Sequence, residues 1–182
     1  MTDKDVVKLE RPYNSMDIAN HVVQHFIDTN REIKNILLVK ILYYLQADSL
    51  RQGKGSLFRE KIEKWGYGAV EPIVYSYFKP YGAAAIDTPL EYVEVDERGT
   101  WHLVSPINRQ LQDEDVRSIN KLSDEIYTKY GGKPFKLVIK TQNEPMWRKD
   151  KPKIRNGNMH IQYENKEIID YFSKPDNWLW DN

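Results

Sequence analysis

Ile36-Leu37-Leu38-Val39-Lys40-Ile41-Leu42-Tyr43-Tyr44-Leu45 is the most apolar run of the chain, and its reading decides the fold. It lacks the alternation of apolar and polar residues that marks a half-buried strand. At helical spacing the apolar residues from Ile33 to Leu50 point in nearly every direction, which predicts a helix enclosed by protein rather than one lying on a surface. Such a helix spans about 27 Å, a small domain's width, and Lys40, Gln46 and Asp48 argue against a membrane span. Lys40 is the awkward residue. An unpaired buried ammonium is costly, so its amine is expected to reach the surface, where it becomes a partner-binding candidate, or to meet a carboxylate or backbone carbonyl.

The flanking sequence extends the helical reading. Met16, Ala19, Val22, Val23, Phe26 and Ile27 recur at three- and four-residue steps, giving a preceding helix one apolar face, with Ser15 as its expected cap. The Asp28-Thr29-Asn30-Arg31 turn folds that helix back on the central one. Downstream, Trp65-Gly66-Tyr67-Gly68-Ala69-Val70-Glu71-Pro72 reads as a glycine-bent connection into a further helix that ends by Lys79-Pro80, because Pro72 suits a first helical turn. Tyr92-Val93-Glu94-Val95 and Thr100-Trp101-His102-Leu103-Val104 alternate around Asp96-Glu97-Arg98-Gly99 as a β-hairpin does. One small sheet is expected. Asp113 opens a helix that continues to Gly131-Gly132, Pro134 opens a shorter one, and Asn165 to Phe172 forms the last. The predicted fold is α+β, mainly α: a compact helical domain around a central buried helix, with a small antiparallel β-hairpin. Residues 1–14 read as a mobile or loosely docked arm, 15–172 as one domain, and 173–182 as a tail carrying Trp178 and Trp180.

With 182 residues, 40% of them hydrophobic and 30% charged, the chain suits one globular domain with a real core. Lys and Arg number 27 and so do Asp and Glu, so no global basic field recruits nucleic acid or an anionic membrane. Cysteine is absent, which excludes disulfides and thiol chemistry. The start shows no apolar signal segment, and the cytoplasm is the expected location.

Four stretches invite a chemical reading. His21 and His25 lie one helical turn apart near Asp17 and Asp28, the makings of a zinc site and of a metal-dependent hydrolase; the plainer reading is a solvated polar face, with no metal and no cofactor. Gly53-Lys54-Gly55-Ser56 lacks the spacing of a phosphate loop and reads as a surface loop. Glu144 tempts as an acid or base, but no nucleophile or histidine is tied to it by spacing, so a helix-capping role before Pro145 is expected. Arg148-Lys149-Asp150-Lys151-Pro152-Lys153-Ile154-Arg155 is the one concentrated basic segment, and Lys149, Lys151, Lys153 and Arg155 are candidates for meeting an acidic partner or a phosphate backbone. Trp178 and Trp180 either pack back onto the domain or anchor a partner. Trp65 reads as an anchor of packing.

Lys40-Ile41-Leu42-Tyr43-Tyr44, Ile62-Glu63-Lys64-Trp65-Gly66-Tyr67-Gly68, Val74-Tyr75 with Phe78, and Glu144-Pro145-Met146-Trp147 followed by Ile161, Ile168, Tyr171 and Phe172 together resemble the Panacea domain. That is the antitoxin domain of SocA-like proteins, also found in phage-associated GepA-like proteins of bacteria. Ala69 stands where that family usually has proline, and Gln142 where it often has histidine, which argues against a catalytic role for that position. The resemblance implies a non-enzymatic antitoxin whose partners are a cognate toxin and, where it serves as a proteolytic adaptor, a host protease or chaperone. It also marks Tyr43, Trp65, Tyr67, Gly68, Tyr75, Phe78, Glu144 and Trp147 as motif positions suited to a scaffold. A phage-derived nucleic-acid-binding protein using the basic segment is the remaining alternative.

Overall fold

A computed structural model of the chain describes residues 6–180. In chain order, the short strand β1 (Val7–Lys8) precedes the helices α1 (Ser15–Asp28) and α2 (Asn35–Arg51), and then come β2 (Glu63–Trp65), β3 (Gly68–Val70) and α3 (Pro72–Phe78). The second half has β4 (Tyr92–Val95), β5 (Trp101–Val104), β6 (Arg109–Gln110), α4 (Asp113–Tyr130), α5 (Phe135–Asn143), α6 (Pro145–Arg148), α7 (Lys151–Arg155) and α8 (Asn165–Phe172). The fold is α+β and mainly α, as the periodicity predicts.

α2 is the axis. Apart from Ile36, Asp48 and the terminal Arg51, its residues are buried, Lys40 included. α1, α3, α4 and α8 all pack against it. α1 stops where Asn30 takes a left-handed conformation (φ 53°) and the Arg31 N–H reaches back to the Phe26 carbonyl at 2.8 Å. Asparagine tolerates that region better than other side-chain-bearing residues, so the turn back toward α2 is written locally. On the far side Tyr43 and Tyr44 meet Phe172, and Trp178 stands edge-on to both Tyr44 and Phe172.

Several expectations change in detail. Ser15 does not cap α1: Asn14 does, accepting from the Met16 N–H at 2.8 Å, while the Ser15 hydroxyl bonds Glu71. The chain from Val7 to Tyr13 is docked, because β1 pairs in parallel with β6, Arg11 is ion-paired to Asp115, and the Tyr13 ring is buried with its hydroxyl on the same carboxylate. Residues 1–5 and 181–182, at the outer ends of the expected arm and tail, lie outside the described residues. In place of one small sheet, the described residues form three separate two-stranded pairs, β1 with β6, β2 with β3 and β4 with β5. The β4–β5 hairpin falls where alternation places it. The basic segment contains a helical turn, α7, rather than loop alone.

Candidate functional site

The motif segments converge where α2, the β2–β3 hairpin and the α5–α6 junction meet. Lys40 and Tyr43 sit three residues apart on α2 and so share one face. Over Lys40 lies the hairpin, and its Nζ donates to the Tyr67 carbonyl at 2.6 Å and the Ala69 carbonyl at 2.8 Å. The backbone-carbonyl alternative is thus the one realised, and the amine does not line a surface groove. Burial pushes the Lys40 pKa down to about 7, with Glu144 opposing the shift. Glu144 is not a side-chain cap of α6. Its carboxyl turns inward and accepts the Tyr43 hydroxyl at 2.6 Å, and burial pushes its pKa up to about 8 against the pull of Tyr43 and Lys40. Tyr43 itself is raised well above its ordinary value, first by burial and then by Glu144.

Gly68 makes this closure possible. It has φ 87°, and a Cβ there would fall on the Thr141 hydroxyl oxygen, so only glycine lets the hairpin lie this close to α5. Ala69, in the place where proline is usual in the family, is buried in β3 and supplies one of the two carbonyls to Lys40. The lid is fastened from outside as well. Gln142 donates to the Gly66 carbonyl at 2.6 Å and the buried Trp147 to the Trp65 carbonyl at 2.9 Å. Trp65 is half-buried, with its ring 5.0 Å from Tyr75 and its N–H on Glu63, while Tyr67 is exposed and Phe78 is core. Beside the lid opens a cleft of about 310 Å³ lined by Gly66, Gln142 and Trp147 together with Arg148, Lys151 and Arg155.

The basic segment therefore divides. Lys151 and Arg155 line the cleft, whereas Lys149 is paired with Glu167 and Lys153 with Asp150. Lys64 and Asp150 form a buried ion pair at 2.8 Å, joining β2 to the start of α7; this pair has no signature in sequence spacing. Although burial opposes it, hydrogen bonding to Lys64 and Lys153 holds the Asp150 carboxyl below its usual range. Glu71, also missed, caps α3 through the Ile73 and Val74 N–H groups, and burial raises its pKa to about 7. Its signal is an acceptor side chain directly before Pro72.

The remaining candidates are dispersed. His21 bonds Asn120 at 2.8 Å, and burial lowers its pKa. His25 bonds Asp124 at 2.7 Å, which also pairs with Arg31. Asp17 is committed to Tyr92 and Arg109, and Asp28 to Gln24. Among the described residues no group of three or more histidines and acids is gathered to hold a metal. Trp178 is buried, with the Arg51 guanidinium 3.8 Å from its ring, and Trp180 packs under Lys129 on α4.

A buried acid, amine and phenol thus lie under a backbone lid, with the apolar axis of the molecule behind them. The family whose sequence description is "Antitoxin SocA-like, Panacea domain" matches residues 38–148, from α2 through α6. That match covers more than half of the chain, and the chain belongs to this family. Membership suggests an antitoxin role. No curated protein and no solved structure matches the chain. Among the described residues no helix is long and apolar enough to cross a membrane.

Proposed function

We propose that this chain is the antitoxin of a toxin–antitoxin pair and that it binds its cognate toxin stoichiometrically, without turnover. Family membership carries the reading. It is supported by the state of two buried titratable groups: Lys40 and Glu144 are enclosed, and each is hydrogen-bonded within the chain. A general acid or base has to reach the proton it moves within hydrogen-bonding distance, and this pair has no face toward the cleft outside the lid. Direct neutralisation and presentation of the toxin to a protease both begin with the same binding step.

The test is co-expression with the product of the adjacent gene, followed by titration of growth rescue and isolation of the complex. The expected result is an isolable complex of fixed composition and rescue that requires equimolar antitoxin. Rescue that requires equimolar antitoxin only when the host protease is deleted identifies an adaptor. Rescue far below equimolar in a host lacking that protease would mean turnover and would overturn the proposal.

A further inference from the structure

The β4–β5 hairpin is patterned the wrong way round for a surface hairpin. Its register sets Val93 opposite Leu103 and Val95 opposite Trp101, so these four side chains share one face. That face is the outer one: Trp101 is 76% and Leu103 70% exposed, with Val95 at 58% and Val93 at 40%. The inner face is held to the body through buried Tyr92, which bonds Asp17, and Glu94, which pairs with Arg59 and Arg109. Single exposed apolar residues are ordinary, but four on one face of a two-stranded sheet are a contiguous patch of the kind that marks an interaction site.

The edge of β5 specifies the shape of what covers it. The Val93 N–H points away from β5, since it donates to the Tyr77 hydroxyl at 2.9 Å. Val93 and its opposite residue Leu103 are therefore a pair that does not exchange backbone hydrogen bonds, and in an antiparallel ladder the residue two positions along, Trp101, belongs to the same class. The N–H and C=O groups of Trp101 and Leu103 thus point outward from β5. Tyr77 occupies the β4 edge, whereas β5 contains no lysine or proline and, among the described residues, no further strand pairs with its edge, so nothing of the kind that blunts free edges is found there. Charge then selects the occupant. Glu91 stands at the base of the hairpin and Glu97 at its tip, while Asp96 is spent on the Arg98 and Thr100 N–H groups and on His102, and Arg59 and Arg109 are spent on Glu94 at the inner face. Arg98 is the one Lys or Arg between Pro80 and Arg109. A second copy of this chain would bring the same acids against themselves.

We infer that the outer face and β5 edge of this hairpin capture an extended segment of a basic partner, with apolar side chains at alternate positions over Trp101 and Leu103 and Lys or Arg flanking them. The mode is strand addition, in which backbone bonds give affinity and the alternating side chains give selectivity. The inference rests on reading this chain as a binder, and it names the surface used.

The probe is a short blocked peptide in which Val and Thr alternate between terminal Lys pairs, compared with the same peptide carrying Glu pairs. Binding is followed by amide-resolved NMR and hydrogen exchange on the whole chain. The Lys peptide is expected to shift and protect the Trp101 and Leu103 amides and to bind at least ~10-fold more tightly than the Glu peptide, with the preference shrinking as salt rises. Trp101→Lys with Leu103→Lys should lower binding by ~10-fold or more at unchanged circular dichroism, because both side chains already lie in solvent. Glu91→Lys with Glu97→Lys should remove the charge preference while leaving the apolar face intact. Absent binding, equal binding of the Glu peptide, or protection of the same amides by self-association on concentrating the protein alone would each overturn the inference. Growth rescue separates it from the antitoxin reading. Full rescue and complex formation by the Trp101→Lys, Leu103→Lys variant would defeat the surface and leave the antitoxin standing. Peptide capture by a wild-type protein that rescues nothing would defeat the antitoxin and leave the surface.

Discussion

Lys40 and Glu144 set opposite demands on the folded state, and both follow from burial. Glu144 has its pKa raised to about 8, so between about 4.5 and 8 the folded chain holds a proton that the unfolded chain has lost. Its contribution to stability is complete below about pH 4.5 and declines as pH rises through 8, with a limiting slope of about 1.4 kcal/mol per pH unit. Lys40 has its pKa lowered to about 7, so from there to about 10.5 the unfolded chain holds the extra proton and stability rises with pH. Glu144→Gln keeps the neutral shape of the acid. Its unfolding free energy relative to wild type, measured in urea, should therefore improve from pH 5 to pH 8; a pH-independent difference would show that Glu144 titrates normally. Lys40→Met strips the donor from the buried Ala69 carbonyl and the part-buried Tyr67 carbonyl and should cost ~1–3 kcal/mol at neutral pH. A stability equal to wild type would show that the lid does not depend on the amine. Trp147 and Trp178 are buried rings, so Trp147→Ala and Trp178→Ala should each cost ~3–5 kcal/mol. Thermal unfolding checks this, and unchanged midpoints would mean that these rings serve a partner rather than the core.

At the scale of elements, the β2–β3 hairpin is the piece whose placement depends most on one residue. Gly68→Ala meets two obstacles, a left-handed backbone at φ 87° and the Thr141 hydroxyl. Gly53→Ala meets only the first, since it has φ 72° and open space around the new methyl. The backbone penalty alone is ~1–2 kcal/mol, so Gly68→Ala should exceed Gly53→Ala by a further kcal/mol or more in chemical denaturation. Equal costs would mean that the lid yields without strain. Legibility also differed between elements for a physical reason. β4 and β5 alternate over four residues each and could be read directly, whereas β2 and β3 have three residues each and too few side chains to show a period. α4 announces itself with an acidic first turn and a glycine stop, and its bounds fall where those signals lie. The N-terminal strand has no such marks, since two residues pair with β6 only because the body brings that edge within reach.

At the scale of the whole molecule, a chain of zero formal net charge encloses Lys40 and Glu144 and leaves a cleft lined by cations and an exposed apolar hairpin in separate regions of its surface. The sequence by itself determined the central helix, its amphipathic neighbours, the β4–β5 hairpin, the absence of thiol chemistry and the family motifs, because each is carried by residues close together in the chain. Only the tertiary structure decided that Lys40 bonds carbonyls, that Glu144 turns inward to Tyr43 across 101 positions, and that Lys64 finds Asp150 across 86. It also decided which face of the hairpin meets water and that Trp178 belongs to the core. Local spacing fixes which side of an element a residue occupies, but what waits on that side depends on how distant segments pack, and a buried polar group takes whichever partner that packing supplies.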